Sequence, residues 1–595
     1  MRYFFLLLAC LCAFSISIAQ TVIGTTYQDF FDYGCSPRRI AYDAVGGLHA
    51  TWMNLPSVGG TRVIEYNHRA PYSEWLAVNG ITLFNGASAG YPCIGLKNHR
   101  YAIITAHRPG TSLGYTTTVA VDSAYPAGRF SEHPIANSTN PPADSIIWPN
   151  MVIARNNRPI IFSREYPRSD ADYCKLFYSV GDTSQSIFTT FAPAESTSFG
   201  ICALAASRIS NRVVMAWAQS VYNGYQPEST YDGINDLYLL ESTNNGVSWN
   251  FDTPRNITRS RLYQNENDPG DTLWCSEDAN MIFDNQDHLH IVFITRGLWL
   301  GPPDTMTTGG NIIRGFTTSH CFLWHWTETR PDSFDIVADG WWWSSLRYIT
   351  MAYQSTISRP SLSIGTNGNL YCVFTRYAQN DTSANGWPCG DIWASVSVDN
   401  GDNWSMATNL TNTINHGEPS GSANSEMFPS VQEVVNDDTL YVMYLLDKSG
   451  GCASAEYTLA NDLTLNSVVV RSVCTEQIRN DYIINPAAFP HLRHFSNTAV
   501  RETEKYIPRS CSIVNNYPNP FNGTTDIEYT IDHPREIELS VYNSIGEKIR
   551  TLVSGKVSAG QHRATFTGYE LPSGVYFVRL KSGEIISTKK ITLLK

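Results

Sequence analysis

The sequence predicts an all-β protein built from a β-propeller and a small C-terminal β-sandwich of the Ig-like kind. First, strand–turn–strand segments recur along the chain at intervals of roughly 50–80 residues. Second, aromatic residues are abundant, with 32 Tyr, 25 Phe and 15 Trp, whereas charged residues make up 16%. Third, Asn, Thr, Ser and Gly separate short apolar runs, as is typical of strands joined by tight turns. Because 595 residues exceed one ordinary core, a large repeat array is expected.

The first 19 residues have the pattern of a secretory signal peptide. Arg2 supplies a positive charge, an apolar run follows from Phe4 to Phe14, and small residues lie at the end, before Gln20. The mature chain is therefore predicted to enter an oxidising compartment. Of 13 Cys, two lie in this signal, leaving an odd number. Some are expected to pair, and others, such as Cys372, to be buried apolar residues.

The repeating unit is an apolar strand, a Gly, Asn or Asp turn, and a second strand that ends on an aromatic or polar residue. About seven copies are recognised, beginning at Pro37, Tyr91, Trp148, Phe199, Glu277, Arg359 and Met427. Four-stranded repeats of this size are typical of a β-propeller, whose radial blades leave few exposed edges. We therefore predict a propeller over residues 20–484, with seven blades preferred and six as the alternative. Residues 27–31 are expected to supply the outer strand of the last blade.

Two turns carry a more specific pattern, S-x-D-x-G-x-x-W. The first copy is Ser397, Asp399, Gly401 and Trp404, and the second, with Asn in place of Asp, is Ser242, Asn244, Gly246 and Trp249. The short acidic or amide side chain accepts hydrogen bonds from turn N–H groups, and Gly permits a positive φ. These turns resemble the Asp-box of sialidase-like (BNR-repeat) propellers. The resemblance implies that they are structural and join the third and fourth strands on the face opposite the active site.

The opposite face is therefore predicted to bind a ligand. It should hold the starts of the innermost strands and the ends of the second strands. The candidate ligand-binding residues there are Arg38, Arg108, Arg164, Arg296, Arg359 and Arg376, together with Trp341, Trp342 and Trp343 in a long loop. Guanidinium groups bind carboxylates in a bidentate manner, and exposed aromatic rings stack on sugars or grip peptides. The alternatives are salt-bridged arginines on the rim and tryptophans buried by their own loop.

An active sialidase, as the resemblance implies, needs three arginines, a Tyr nucleophile paired with Glu, and an Asp acid/base. The chain has enough arginines, but no Tyr–Glu pair stands out, and none of Asp43, Glu277 and Asp278 can be assigned as the acid. The catalytic residues are unknown, and an enzyme is less expected than a binding protein. His68, His107 and His325 are interpreted as strand or rim residues. No metal site or cofactor is predicted, and structural calcium in the turns is the open alternative.

The C-terminal residues form a separate module. A polar, irregular linker is predicted over residues 485–512, and strands recur over 513–595, with the alternation of half-buried strands. The segments YPNPFN from Tyr517, VYNSIGEKIRTL from Val541 and LPSGVYFVRL from Leu571 resemble the C-terminal sorting domain of the type IX (Por) secretion system. This resemblance implies export across an outer membrane after the signal peptide has been removed.

Three functions remain open at this point. The preferred hypothesis is a secreted or surface-displayed propeller that binds glycan or protein, and the alternatives are an exo-sialidase-type glycoside hydrolase and a scaffold for surface assembly. The type IX machinery is the predicted partner of residues 513–595. The net charge of −12 argues against nucleic acid as a partner. No transmembrane segment is predicted after the signal peptide.

Overall fold

The computed structural model describes most of the chain in two compact units, Met1–Phe495 and Ser496–Lys595. The described residues are 20–31, 37–86, 88–110, 114–125, 128–136, 145–165, 174–182, 187–189, 192–197, 202–220, 235–258, 273–299, 307–308, 311–312, 315–340, 355–436, 438–451, 463–478, 512–517, 519, 521–531, 535–557, 560–583 and 585–594.

The described part of the first unit contains seven sheets with four consecutive antiparallel strands each, which are the blades of a propeller. Their strands are given from the innermost outward. Blade I has β2 (Ile40–Tyr42), β3 (Leu48–Asn54), β4 (Val63–Arg69) and β5 (Ile81–Leu83). Blade II has β6 (Gly90–Lys97), β7 (Tyr101–Pro109), β8 (Tyr115–Asp122) and β9 (Phe130–Pro134). Blade III has β10 (Ile146–Ile153), β11 (Pro159–Glu165), β12 (Cys174–Asp182) and β13 (Ile187–Phe188).

The remaining four blades follow the same plan. Blade IV has β15 (Cys202–Ala206), β16 (Val213–Ser220), β17 (Asn235–Ser242) and β18 (Arg255–Asn256). Blade V has β19 (Leu273–Phe283), β20 (Leu289–Trp299), β23 (Gly315–Thr327) and β24 (Asp335–Asp339). Blade VI has β25 (Ile357–Gly365), β26 (Leu370–Ser383), β27 (Pro388–Ser397) and β28 (Thr408–Asn409). Blade VII has β30 (Ser425–Val431), β32 (Thr439–Asp447), β33 (Asn466–Cys474) and β1 (Gln20–Thr26).

A few short elements are added to these blades. Strand β14 (Ala192–Thr197) pairs with β12, and β21 (Thr307–Thr308) pairs with β22 (Asn311–Ile312). Strand β29 (His416–Glu418) pairs with β26, and β31 (Val434–Val435) pairs with β25. One 3₁₀ helix covers Thr475–Gln477. No helix of the described residues is long and apolar enough to cross a membrane.

The ring is closed by strand β1, which comes first among the described residues. Strand β1 runs antiparallel to β33, from Gln20 opposite Arg471 to Thr26 opposite Asn466. We expected residues 27–31 in this position, and that expectation was wrong by about one strand length. The reason is that Ile23, inside β1, is the residue that packs against the core formed by blades VII and I.

The innermost strands contact one another in a closed cycle, in the order β2, β6, β10, β15, β19, β25, β30 and back to β2. Side chains link several of these neighbours. The Leu362 N–H donates to Asn280 Oδ1 at 3.0 Å, and the Val431 N–H donates to Ser361 Oγ at 3.2 Å. The Arg39 N–H donates to Ser430 Oγ at 2.8 Å. Because backbone groups at the axis have no strand on their inner side, these bonds satisfy groups that would otherwise be unpaired.

Most of the core lies between blades, where the apolar face of one sheet packs on the next. Between blades VI and VII, for example, Val373 and Ile392 pack with Leu440 and Val469. Fully burying such side chains contributes roughly 1.5–3 kcal/mol each. The blades are therefore held by sheet-on-sheet contacts, and the turns at either end of each blade remain free to differ.

A polar cluster crosses the central channel. Arg208 of blade IV donates to Glu433 of blade VII at 3.1 Å, and these two blades lie on opposite sides of the ring. Arg38 of blade I donates to the carbonyl oxygen of Val431 at 2.5 Å and to that of Leu362 at 3.5 Å. Burial lowers the pKa of Arg38, and the Glu433 carboxylate opposes this change. Arg38, Arg208 and Glu433 thus contribute side chains to the central channel.

The second unit is a two-sheet sandwich. One sheet has the order β34 (Ser512–Tyr517), β35 (Thr524–Ile531) and β38 (Gly560–Thr567). The other has the order β37 (Lys548–Val557), β36 (Arg535–Asn543), β39 (Gly574–Ser582) and β40 (Ile585–Leu593). Both sheets contribute to one core, for example through Ile527 and Leu539. The fold class predicted from the sequence, a propeller followed by a small β-sandwich, is therefore confirmed.

The cysteines with described side chains form no disulfide bond. Five of them are buried and Cys474 is half-buried; the buried ones are Cys93, Cys275, Cys321, Cys372 and Cys389. Burial raises the pKa of the Cys93 thiol to about 11. These residues are apolar core groups in this fold, as expected for Cys372.

Candidate functional site

The two faces of the propeller are distinguished by strand direction. In an antiparallel blade, the innermost strand begins and the second strand ends on one side, which we call the upper face. The turns between the first and second strands and between the third and fourth strands lie on the other side, the lower face. The Asp399 turn connects β27 to β28, and the Asn244 turn connects β17 to β18, so both lie on the lower face.

On the upper face, four innermost strands share an unusual backbone feature. A β-bulge interrupts β6, β10, β25 and β30 near their beginnings. In each bulge, a residue that precedes a proline has a positive φ: Tyr91 at 58°, Trp148 at 53°, Arg359 at 57° and Phe428 at 56°. Such a φ is uncommon for bulky side chains, and residues before proline usually prefer an extended backbone. Strain of this kind concentrates at functional sites, so these four positions mark the place to look for one.

Aromatic contacts join three of these positions into an arc around the channel mouth. Trp148 and Tyr91 meet edge-to-face with ring centroids 5.8 Å apart. Phe30, in the segment after β1, makes edge-to-face contacts with Tyr91 at 6.4 Å and with Phe428 at 5.8 Å. We call Phe30, Tyr91, Trp148 and Phe428 the aromatic arc. Phe30 and Phe428 are buried, whereas Tyr91 and Trp148 are half-buried.

Two predicted ligand-binding arginines flank the aromatic arc. The guanidinium carbon of Arg164 lies 3.8 Å from the centroid of the Trp148 ring, and that of Arg359 lies 5.6 Å from the Phe428 ring. Cation–π contacts of this kind hold the ring and the cation in one geometry. Arg164 is 5% exposed and Arg359 1%. Arg359 is also bonded to Asp278 of blade V, through its backbone N–H at 3.1 Å and through its guanidinium group.

The other predicted arginines take different partners. Arg38 lies in the channel, as described above. Arg108 forms an ion pair with Glu132 at 3.0 Å in the outer part of blade II. The guanidinium carbon of Arg376 lies 5.0 Å from the Trp393 ring centroid. Arg296 lies within β20, and its side chain is outside the described residues, as are Trp341, Trp342 and Trp343. A ligand-binding role for these residues stays a prediction.

His107 supports the aromatic arc from the second strand of blade II. Its Nδ1 accepts the backbone N–H of Trp148 at 3.2 Å, and its ring centroid lies 5.2 Å from that of Tyr91. Burial lowers the pKa of His107 to about 3, so the imidazole is neutral and keeps the lone pair that this bond needs. His107 therefore positions the strained backbone at Trp148.

A buried carboxyl group lies two residues before Phe428. Glu426 is 3% exposed, and its Oε2 accepts the Thr413 hydroxyl at 2.8 Å. Burial raises the pKa of Glu426 to about 8, the Thr413 hydrogen bond opposes this, and Asp391 reinforces it. Asp391 itself accepts Asn409 at 2.8 Å and Thr411 at 2.9 Å. The same arrangement recurs in blade IV, where Asp236 accepts Asn256 at 2.8 Å and Thr258 at 2.7 Å, so Asp391 is a structural residue of the blade.

The two turns that resemble the Asp-box, called the Asp-box turns below, have matching hydrogen bonds. Asp399 Oδ1 accepts the Asn403 N–H at 2.9 Å, and Ser397 Oγ accepts the Gly401 N–H at 2.8 Å. In the second copy, Asn244 Oδ1 accepts the Ser248 N–H at 3.0 Å, and Ser242 Oγ accepts the Gly246 N–H at 3.1 Å.

Both box glycines approach a neighbouring blade closely. A Cβ atom on Gly401 would lie 2.1 Å from His325, and one on Gly246 would lie 2.8 Å from Ile160. Trp404 is 1% exposed, whereas Trp249 is half-buried.

The sequence reasoning missed Phe30, Tyr91 and Phe428. A signal for two of them was present, since an aromatic residue or Arg followed by Pro recurs at the start of four predicted blades. The pairs are Tyr91–Pro92, Trp148–Pro149, Arg359–Pro360 and Phe428–Pro429. No such pattern marks Phe30.

Residues 515–593 match the family described as "Secretion system C-terminal sorting domain". The C-terminal sandwich is thus a sorting domain of the Por type, and it indicates export by the type IX secretion system. No curated protein matches the chain.

Several solved propellers resemble the chain in structure. An α-L-arabinanase from Penicillium chrysogenum is 10% identical with a TM-score of 0.37, covering 77% of this chain and 99% of that one. The β-propeller domain of the Trilobed protease from Pyrococcus furiosus is 9% identical with a TM-score of 0.36, covering 75% and 97%. A Hadza microbial sialidase is 12% identical with a TM-score of 0.25, covering 78% and 96%. Likenesses at this level indicate nothing about ligand or activity.

Proposed function

We propose that the protein is an exported, cell-surface propeller that binds a glycan at the aromatic arc on its upper face. The observation that carries the proposal is the pair of half-buried rings, Tyr91 and Trp148, held edge-to-face by strained backbone in adjacent blades. Rings fixed in this way offer apolar faces for sugar stacking with little loss of side-chain entropy on binding. A protein ligand is the competing occupant of the same surface.

One charged group beside the arc suits a hydroxylated or acidic ligand. The guanidinium carbon of Arg164 lies 3.8 Å from the centroid of the Trp148 ring. Sites for small polar ligands combine apolar rings with a few convergent polar groups. The predicted loop of Trp341, Trp342 and Trp343 would extend this surface.

The alternative of an exo-sialidase-type hydrolase is less well supported. Tyr444 lies near Glu426, but burial and the Glu426 carboxyl both raise the pKa of Tyr444. A nucleophilic tyrosine needs the opposite change. Tyr444 and Glu426 are 1% and 3% exposed, so neither offers a surface to a substrate. We expect no turnover of a fluorogenic sialoside, and hydrolysis abolished by Tyr444→Phe would favour the enzyme.

A glycan array with residues 20–595 tests the binding function. Trp148→Ala and Tyr91→Ala should each weaken binding about five- to tenfold, because loss of one stacking ring removes roughly 1–1.5 kcal/mol. The matched control is Trp249→Ala, which removes another half-buried ring from the lower face and should leave binding unchanged. Equal binding by the wild type and Trp148→Ala would exclude the arc as the glycan site. Capture of a protein while no glycan binds would assign the surface to a protein ligand.

A further inference from the structure

Three potential metal ligands converge on the lower face of blade I, away from the aromatic arc. Asp43 lies in the turn after β2, His49 lies in β3, and His68 lies opposite His49 in β4. One donor atom from each lies within 4.8 Å of the others. All three side chains are buried, at 1%, 0% and 2% exposure. The cluster joins three consecutive parts of one blade.

The local backbone fixes the orientation of the Asp43 carboxylate. Its Oδ1 accepts the N–H groups of Val45 at 2.9 Å and Gly47 at 2.6 Å, and its Oδ2 lies 3.3 Å from His49 Nε2. A Cβ atom on Gly47 would lie 2.6 Å from Asp43 Oδ2 and 3.0 Å from His68 Nε2. Only glycine at this position keeps the space between those two atoms clear of a side chain.

The nitrogen His68 Nε2 is buried and has no hydrogen-bond partner among the described residues. A buried ring nitrogen left without a partner is unfavourable by about 1–3 kcal/mol, so such an atom calls for an explanation. His49 is different, because its Nδ1 lies 2.8 Å from the Tyr66 hydroxyl. A histidine whose second nitrogen bonds to an oxygen is arranged as metal-binding histidines usually are.

Blade V contains a similar arrangement of an aspartate in the first turn and a histidine in the second strand, but there the histidine contacts another histidine. Asp284 occupies the corresponding turn, and its Oδ2 lies 3.4 Å from His290 Nε2. There, however, His290 Nδ1 lies 3.0 Å from His325 Nε2, so this nitrogen of His290 has a histidine as its partner. In blade I the corresponding nitrogen of His49 bonds to Tyr66, and His68 Nε2 is left facing the carboxylate. Blade I therefore differs from blade V in having a second histidine, His68, opposite the first one, where blade V has Thr327.

We propose that Asp43 Oδ2, His49 Nε2 and His68 Nε2 bind a divalent first-row transition metal ion of the zinc class. Two imidazoles and one carboxylate form a mixed nitrogen and oxygen donor set that suits such ions and does not suit calcium. Metal–ligand bonds of about 2.0–2.2 Å place tetrahedral donors about 3.3 Å apart, close to the Asp43–His49 separation.

Binding requires one proton to move within His49. Without metal, Nε2–H donates to Asp43 and Nδ1 accepts from Tyr66. With metal, the Nε2 lone pair binds the ion, and the proton resides on Nδ1, from which it donates to the Tyr66 oxygen. The number of bound protons does not change. The ion ties β3 and β4 to the turn after β2, so it stabilises the blade next to the closing strand.

The test is metal titration of the full mature chain, residues 20–595, after treatment with a chelator. We expect one equivalent of Zn²⁺ by elemental analysis, visible absorption on binding Co²⁺, and a higher melting temperature with either ion. His68→Gln should weaken Co²⁺ binding at least 100-fold. Gly47→Ala should also block it, because the added methyl group would lie against both Asp43 Oδ2 and His68 Nε2.

The matched control is His325→Gln in blade V, which alters the pair of His290 and His325. This variant should still bind one metal ion per chain. The proposal is overturned if the folded wild type shows neither Co²⁺ absorption nor a melting shift at 100-fold excess. It is equally overturned if His68→Gln binds the metal as the wild type does. Should a variant fail to fold, the wild-type titration decides the question.

Discussion

Arg359 and Asp278 form a fully buried ion pair between blades VI and V. The carboxylate accepts both the backbone N–H of Arg359 and its guanidinium group, and the two side chains are 1% and 0% exposed. The same guanidinium group lies near the rings of Phe30 and Phe428. An arginine that the sequence suggested as a ligand-binding group is therefore engaged in holding two blades and the aromatic arc together.

Asp278→Ala should lower the stability of the propeller by about 3–5 kcal/mol, because it leaves the Arg359 guanidinium buried without its anion. Thermal unfolding of residues 20–595 measures the effect. The double variant Asp278→Leu with Arg359→Met should be less destabilised than Asp278→Ala, since no unpaired charge remains. If the double variant were the less stable of the two, the burial argument would be wrong.

Gly401→Ala should be more destabilising than Gly368→Ala. Both glycines have a positive φ, 86° and 87°, and each substitution therefore loses about 1–2 kcal/mol from backbone strain. At Gly401 the added Cβ would also lie 2.1 Å from His325 of blade V, whereas at Gly368 it meets nothing within 4 Å. We expect an additional loss of about 1–3 kcal/mol at Gly401. Equal melting temperatures for the two variants would refute the close packing of the Asp-box turn on blade V.

Glu426 should make the protein less stable as the pH rises. Its pKa is raised from 4.5 to about 8, first by burial and then by Asp391, with Thr413 opposing the change. Between these two values the folded protein keeps a proton that the unfolded chain has released. The stability therefore falls with pH over this window and levels off above about pH 8.

Glu426→Gln keeps the shape of the protonated side chain and should flatten this part of the stability profile. Each pKa unit corresponds to about 1.4 kcal/mol, so the variant should exceed the wild type by several kcal/mol at pH 8. Asp391, Lys448 and Tyr444 surround the carboxyl group and are unchanged in the variant. Parallel melting curves of the two proteins from pH 5 to pH 8 would contradict the raised pKa.

The C-terminal sandwich should be required for export and not for folding of the propeller. A chain ending before Ser512 should accumulate in the periplasm of a type IX-competent host, with the propeller protected from protease. Fractionation and surface proteolysis measure this. As the reciprocal test, fusion of residues 513–595 to a periplasmic reporter should place the reporter at the cell surface. Surface display of the truncated chain would contradict the assignment.

The fold was accessible from sequence because its signals are local. Hairpin turns such as Asn367-Gly368-Asn369 and the alternation in Ile537, Leu539 and Val541 depend on adjacent residues. The closing strand was misplaced because Gln20–Thr26 is bounded by the predicted cleavage point, and its first residues are polar. The role of β1 depends on its long-range pairing with β33, and the composition of β1 alone does not predict that pairing.

The candidate sites were less accessible because they depend on register between distant strands. His49 and His68 meet only because β3 and β4 pair them directly. Phe30 joins Tyr91 and Phe428 only after the ring has closed. The arginines predicted a charged upper face. However, Arg108 pairs with Glu132 of an outer strand, and Arg359 pairs with Asp278 of the neighbouring blade.

Hydrogen exchange with and without a bound glycan tests the central claim most directly. The ligand identified on an array is added to residues 20–595, and the protection of backbone amides is mapped along the chain. We predict added protection at residues 90–93 and 146–151, where Tyr91 and Trp148 lie, with no change in the Asp-box turn at residues 397–404. Protection of the Asp-box turn without protection around Tyr91 and Trp148 would place the ligand on the other face and contradict the account.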